Sequence, residues 1–311
     1  MKNNFKLNFA LTFVLLCSLP TFSEEPPSYS LLYSYTESTK RSLYISDENG
    51  ENSLKIGSFT LSDGYPAISP NGKHIAFYGK YDKYKTWSIH TVDLDGNNFK
   101  RLTQVKNVWD SSPVWSPDGK LIVFAREYKD QNGIWQEEIW RMNPDGSNKK
   151  QIKGLKGRSP EFMKDGRLLF QTKASPSQIS IANLDGSNQI VLTNDTTNNM
   201  SPKISPDGSK IAFISSRDGN QEVYIMNLDG RNQKRMTRNS IDEWGPSWST
   251  DGTKVLFSSE NVYDSLDIFS VNIDDRSIQE VLRKGSQLTT MYHVDKKHLK
   301  RLMNKNKQSK K

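Results

Sequence analysis

Two tryptophans in this sequence stand beside carboxylates, in Trp109-Asp110 and in Asp242-Glu243-Trp244. An indole ringed by polar groups can anchor a protein partner, and paired carboxylates can do general acid and base work. Asp63-Gly64-Tyr65, Gly157-Arg158-Ser159 and Asn198-Asn199-Met200 offer further recognition groups. Nucleophilic chemistry has little to work with. Gly245-Pro246-Ser247-Trp248-Ser249 lacks the last glycine of a Gly-x-Ser-x-Gly elbow. His74, His90, His293 and His298 form neither His-Glu-x-x-His nor His-x-His. Cysteine-based metal sites and disulfides are not expected, because the single cysteine, Cys17, lies in an N-terminal apolar run.

The elements that must position these groups come from a repeat. Five rows begin at Pro66, Pro113, Pro160, Pro202 and Pro246, spaced 47, 47, 42 and 44 residues apart. Each row has a short apolar stretch, an Asn-Gly or Asp-Gly turn (SPNG at Ser69, SPDG at Ser116 and Ser205, STDG at Ser249), and then a run such as Ile211-Ala212-Phe213. A variable loop, an alternating strand, a second turn and a last strand complete it. Asp-Gly between alternating apolar runs marks a tight hairpin, so each row predicts four antiparallel strands, A to D. Sheets of this size must stack to cover their faces, and a four-strand period of this length predicts propeller blades.

Two columns support the stacking. Phe77, Phe124, Phe170, Phe213 and Phe257 share one position in strand B. Tyr44, His90, Trp140, Ser180, Tyr224 and Phe269 share one in strand C. His90 therefore reads as a packed core histidine. Ser30–Gly57 supplies strands B, C and D without an A, and Thr289–Leu299 reads as an A strand without a blade. The expected architecture is an all-β, six-bladed propeller over residues 30–295, its ring closed by a C-terminal strand joining the N-terminal blade, because a circular array otherwise leaves an open edge.

The formal charge is +8, but residues 296–311 hold eight Lys and Arg and no acid. The rest balances, so nucleic acid is not an expected partner. The basic end is expected to be a solvated, partly disordered tail with at most weak attraction to an anionic membrane surface. Residues 1–23 read as a secretory signal peptide: Lys2 and Lys6, the apolar run Phe9–Leu19, then a small-residue cleavage pattern before Glu24. A periplasmic or secreted location follows. Anchoring as a lipoprotein through Cys17 is not expected, since bulky Leu16 precedes it.

The rows resemble the TolB-like, WD-repeat-like propeller family of secreted bacterial proteins, whose pattern is P-x-W-S-P-D-G-x-x-I-A-F followed by I-Y-x-M-N-x-D-G. Row four, PKISPDGSKIAFISSRDGNQEVYIMNLDGRNQKRMT, is close to it, and row two carries Trp115-Ser116-Pro117-Asp118-Gly119. The resemblance covers Ser30–Lys284 and speaks for fold more than for function. The family's namesake is a periplasmic partner of an outer-membrane lipoprotein and of the Tol complex. Its α/β domain ahead of the propeller is expected to be absent here.

In such a ring the D–A loops surround the mouth of the central channel, and here they differ between rows while the turns do not. Binding specificity is therefore placed on Asp63, Tyr65, Trp109, Asp110, Arg158, Asn199, Asp242, Glu243 and Trp244. Packing of the two tryptophans under neighbouring loops is the competing reading. The acids favour a basic peptide or a polar ligand. The expected function is a non-enzymatic, monomeric scaffold in the cell envelope, holding an envelope protein or peptide, a lipoprotein or Tol-type complex among them. A glycan-binding or lyase-like propeller, or one detached from a prolyl oligopeptidase-like peptidase, are the alternatives. No cofactor is expected. "DLDGNN" at Asp93–Asn98 begins like a calcium loop without the distant Glu, so Ca2+ in the channel is the weaker reading and a hairpin the stronger.

Overall fold

The repeated SPDG turn shows why the chain writes it so often. In the computed structural model, Ser205 Oγ donates to Asp207 Oδ1 at 2.6 Å and accepts the Lys210 N–H at 2.9 Å. Asp207 Oδ1 also accepts the Ser209 N–H at 3.0 Å, and Gly208 takes φ +78°. Ser116/Asp118, Ser249/Asp251 and Ser69/Asn71 repeat the arrangement. The short side chains satisfy the backbone of a tight reversal that glycine alone enters without strain.

The structure describes residues 28–80, 86–260 and 265–309. The signal-peptide and Cys17 readings lie outside them. The strands run in order as β1 (Tyr29–Glu37), β2 (Lys40–Asp47) and β3 (Ser53–Gly57), then β4 (Asp63–Ile68), β5 (His74–Lys80), β6 (Trp87–Asp93) and β7 (Lys100–Arg101). Next come β8 (Val108–Trp115), β9 (Ile122–Lys129), β10 (Trp135–Met142) and β11 (Lys150–Gln151). They are followed by β12 (Gly157–Phe162), β13 (Leu168–Thr172), β14 (Ile179–Ala182) and β15 (Ile190–Val191). β16 (Asn199–Ile204), β17 (Lys210–Ser215), β18 (Glu222–Asn227) and β19 (Lys234–Arg235) form the next meander. β20 (Glu243–Trp248), β21 (Lys254–Glu260), β22 (Leu266–Asn272), β23 (Ile278–Leu282), β24 (Gly285–Thr290) and helix α1 (Lys296–Gln308) complete the chain. The fold is an all-β propeller. No helix among the described residues is long and apolar enough to cross a membrane.

Three expectations need correction. Six separate sheets are not what the hydrogen bonding draws: four sheets have four strands, and one has eight. A single parallel bridge, Trp87 to Trp109, joins the meanders β4–β7 and β8–β11 into one sheet. The strand at the C-terminal end is Gly285–Thr290, earlier in the chain than Thr289–Leu299, and it pairs antiparallel with β1 (Leu31 with Thr290, Tyr35 with Gly285). The shift arises because this strand lacks the proline that marks the others. The basic end, expected to be solvated, forms α1. Asp295 caps it by accepting the His298 N–H at 3.0 Å, and Leu299, Leu302 and Met303 fall on one face, with Leu302 fully buried.

The two sequence columns meet across the sheets. Phe77 pairs with His90, Phe124 with Trp140, Phe170 with Ser180, Phe213 with Tyr224 and Phe257 with Phe269. Tyr33 pairs with Tyr44 in the first meander. His90 is fully buried, stacks on Phe77 and Phe99, and is pushed down to about 4 by burial, as a core histidine should be. The apolar core divides into six clusters, each shared by two neighbouring meanders. One of them unites Leu31 and Tyr33 of β1 with Leu256 and Ile268 of the last meander. Trp115 and Trp248 each donate an indole N–H at 3.1 Å to the inner strand of the preceding meander, at Ala67 O and Lys203 O.

Candidate binding site at the channel mouth

β4, β8, β12, β16, β20 and β24 each hold a residue in the left-handed region between +44° and +55°: Tyr65, Ser112, Ser159, Ser201, Gly245 and Gln287. Each sits at a bulge where the register shifts, and in all but the last, proline follows. A bulge frees a backbone position from the ladder, which is where proline fits without losing a hydrogen bond. These residues line a common channel of about 270 Å³. Its wall combines small hydroxyls and proline rings with Trp115, Trp248 and the Lys203–Glu161 ion pair at 2.6 Å.

Four of the nine residues expected at the mouth are turned into the protein. Asp63 is fully buried and accepts the Phe59 and Thr60 N–H groups at 2.8 and 3.0 Å. Asp110 takes a bidentate pair from Arg126, at 2.7 and 2.9 Å, with the guanidinium 4.2 Å from the Trp140 ring centre. Asn199 donates to Gln178 Oε1 at 3.0 Å and accepts from Arg217 at 3.0 Å. Glu243 accepts the Val223 N–H at 3.0 Å, Asn239 Nδ2 at 2.7 Å and the Thr237 hydroxyl. All four stand two residues before the positive-φ residue of their strand, and at that step the side chain faces the neighbouring loop and sheet. Asp242 is half-buried and accepts the Gln221 N–H at 2.8 Å.

What stays at least partly accessible is mostly aromatic, with Arg158 and Asp242 as the charged groups. Tyr65 is 42% exposed, and Trp109, Arg158 and Trp244 are half-buried. Tyr65 packs on Tyr78 at 5.3 Å, Tyr78 meets Trp87 edge-on at 4.7 Å, and Trp109 packs on Trp135 at 5.1 Å. Tyr78, Trp87 and Trp135 lie outside the D–A loops, in or at the start of β5, β6 and β10, and carry no signal of their own in the repeat. The B–C connections emerge at the same end of the sheets as the D–A loops, and Trp87 and Trp135 open the strands that follow them.

One buried carboxylate pair also lies near this end. Glu222 is fully buried, receives Arg235 Nη2 at 2.7 Å and the Asn239 N–H at 3.0 Å, and its charge adds to the burial that pushes Glu243 up to about 7. Burial disfavours the charged form, so folded Glu243 holds its proton more tightly than the unfolded chain does. Its contribution is greatest below the ordinary glutamate range and is lost as pH rises through about 7, a span worth roughly 3 kcal/mol. Urea midpoints at pH 5 and pH 8 test this. The wild type should lose more stability between them than Glu243→Gln, and an equal loss in both would refute the assignment.

Among the described residues, no group of three or more His, Cys, Asp or Glu side chains is arranged to hold a metal ion. The turn carboxylates that suggested calcium are occupied by their own turns; Asp95, for example, accepts the Asn97 N–H at 3.1 Å.

An uncharacterized protein of Agrobacterium fabrum is 25% identical over 179 residues, covering 56% of this chain and 58% of that protein. A protein TolB homolog of Chlorobium luteolum is 26% identical over 154 residues, covering 49% of this chain and 34% of its own length. The chain thus spans 58% and 34% of the lengths of these two relatives. The crystal structure of TolB from Acinetobacter baumannii superposes with a TM-score of 0.70 at 23% identity, covering 84% of this chain and 66% of that one. That likeness speaks for the fold alone. The pattern of the TolB beta propeller domain matches residues 12–199 and 159–310. With that match over nearly the whole sequence and the same bulged inner strand recurring in the structure, this chain belongs to the TolB beta propeller domain family.

Proposed function

We propose that this chain is a non-enzymatic binding scaffold of the cell envelope that holds a protein or peptide segment at the mouth of its channel. The observation that carries this reading is the accessible aromatic rim, Tyr65, Trp109 and Trp135, beside a channel whose own acids are committed to internal contacts. Aromatic groups set among polar neighbours are the usual anchors of such interfaces. The ring is proposed to have six blades, the eight-stranded sheet counting as two and β24 completing the blade of β1–β3. Six bulged inner strands around one channel and the contact between first and last meanders support that count. A periplasmic setting rests on the signal-like residues 1–23 and on the TolB name of a relative, and a Tol-type or lipoprotein partner rests on the same likeness.

Crosslinking in intact cells, comparing the wild type with a Trp109→Ala/Trp244→Ala pair, tests the reading. A discrete protein trapped by the wild type and lost from the pair is the expected result. Identical adducts from both would remove the channel mouth as the site. Retention of a glycan and of no protein would favour the sugar-binding alternative.

A further inference from the structure

The acids that made the mouth look suited to a basic ligand are the groups the fold consumes. Asp63, Asp110 and Glu243 are buried and bonded. Two arginines remain at this end. Arg41 Nη1 donates to the Tyr78 hydroxyl at 3.4 Å, and Gln287 Nε2 reaches the same oxygen at 3.3 Å. Gln287 Oε1 in turn accepts the Tyr65 N–H at 3.1 Å. Arg158 precedes channel-lining Ser159, and its Nε is buried without a hydrogen-bond partner. Neither arginine forms an ion pair among the described residues. The Tyr65 phenol lies in the field of both. Glu127 lies in the field of Arg158 and accepts from Ser111 Oγ at 3.4 Å. Glu137 stands directly opposite Glu127 in the sheet, yet neither carboxylate lies in ion-pair contact with Arg158 or Arg41, and the Arg158 Nε–H lacks an acceptor. Leaving such a donor unpaired is costly.

The geometry points to a carboxylate as the ligand group held at this mouth, bound by Arg158 with Arg41 beside it and seated on the Tyr65–Tyr78 pair. A carboxylate matches the planar fork of an arginine, and Arg158 is half-buried with no ion pair of its own among the described residues. The Tyr65 and Tyr78 rings offer an apolar floor for the residue that carries it. This inference rests on the peptide-binding reading and reverses the basic-peptide expectation, because three of the four acids expected at the mouth are buried and bonded while Arg158 and Arg41 are not in ion pairs among the described residues.

Three pools of fluorescein-labelled pentapeptides built from Gly, Leu, Phe, Tyr and Trp test it by fluorescence polarisation on the full chain. One pool has a free C-terminal carboxylate, one is amidated with a single Glu, and one is amidated and uncharged. The expected result is binding of a carboxylate-bearing pool about tenfold or more tighter than the uncharged pool, the size of a charged hydrogen bond. That advantage should vanish in Arg158→Gln, shrink in Arg41→Gln and partly return in Arg158→Lys, with unchanged melting temperatures. Which charged pool binds separates a chain terminus from an acidic side chain. Equal binding of all three pools, or an advantage that survives both glutamine variants, overturns the carboxylate and leaves the peptide reading standing. Binding of no pool removes both.

Discussion

Replacing Asp110 with alanine is expected to destabilise the protein by about 3–5 kcal/mol. Arg126 is nearly buried and its only charge partner among the described residues is Asp110, through two short parallel bonds. Removing the carboxylate leaves a guanidinium between the Phe124 and Trp140 rings with no counter-charge. The large loss measures that stranded charge rather than the worth of the pair. A double replacement, Asp110→Leu with Arg126→Met, should therefore recover most of the stability. Urea unfolding at neutral pH reads both, with the slope of the transition checked for constancy. A single variant within about 1 kcal/mol of wild type would show that the buried arginine finds another acceptor. The staple also matters at the rim. Trp109 is the adjacent residue and bridges to Trp87, so the single variant should loosen the aromatic surface while the apolar double variant should hold it.

This example also shows where the sequence was legible. The repeat made the two columns legible, because the strand C position stands six residues before the second turn's Gly96, Gly146, Gly186, Gly230 or Asp275 in every row; the structure then sets Phe213 opposite Tyr224. Burial of the phenylalanines followed from the need to fill the space between stacked sheets. The direction of Asp110 did not follow. A residue in a connecting segment can face solvent or the sheet, and the choice depends on a bulge two residues later, at Ser112, that composition does not announce. The same holds for Asp63, Asn199 and Glu243. The strand at Gly285–Thr290 was misplaced for a related reason. Gln287 takes the positive φ that precedes proline elsewhere, but Leu288 stands in the proline's place. The Trp87–Trp109 bridge that merges two sheets is a tertiary contact with no local signature.

The C-terminal helix was hidden by its charge, and its removal is the second large effect expected. Six outward lysines and arginines in α1 drew attention from Leu299, Leu302 and Met303, spaced three and four apart as one helical face requires. That face closes the cluster shared by the first two meanders, against Ile56, Val92 and Leu94. Two further contacts fix its ends. Asn306 exchanges bonds with the Lys55 backbone at 3.1 and 2.9 Å on the outer strand β3. At the other end, the chain leading into α1 passes so close to Gly72, φ +68°, that a Cβ there would meet His293 O at 2.7 Å. The helix thus spans the seam between these meanders from the inner turn to the outer edge. Leu302→Ala should cost about 2–5 kcal/mol, the range for truncating a buried leucine. Deleting residues 296–311 should cost more, because it uncovers the cluster as well, and should raise binding of a hydrophobic dye and speed proteolysis. Lys300→Gln, on the exposed face, should stay within about 0.5 kcal/mol. A deleted chain with an unchanged urea midpoint would mean that β24 alone holds the ends together. A Lys300 variant as damaging as Leu302→Ala would mean that charge, not burial, seats the helix.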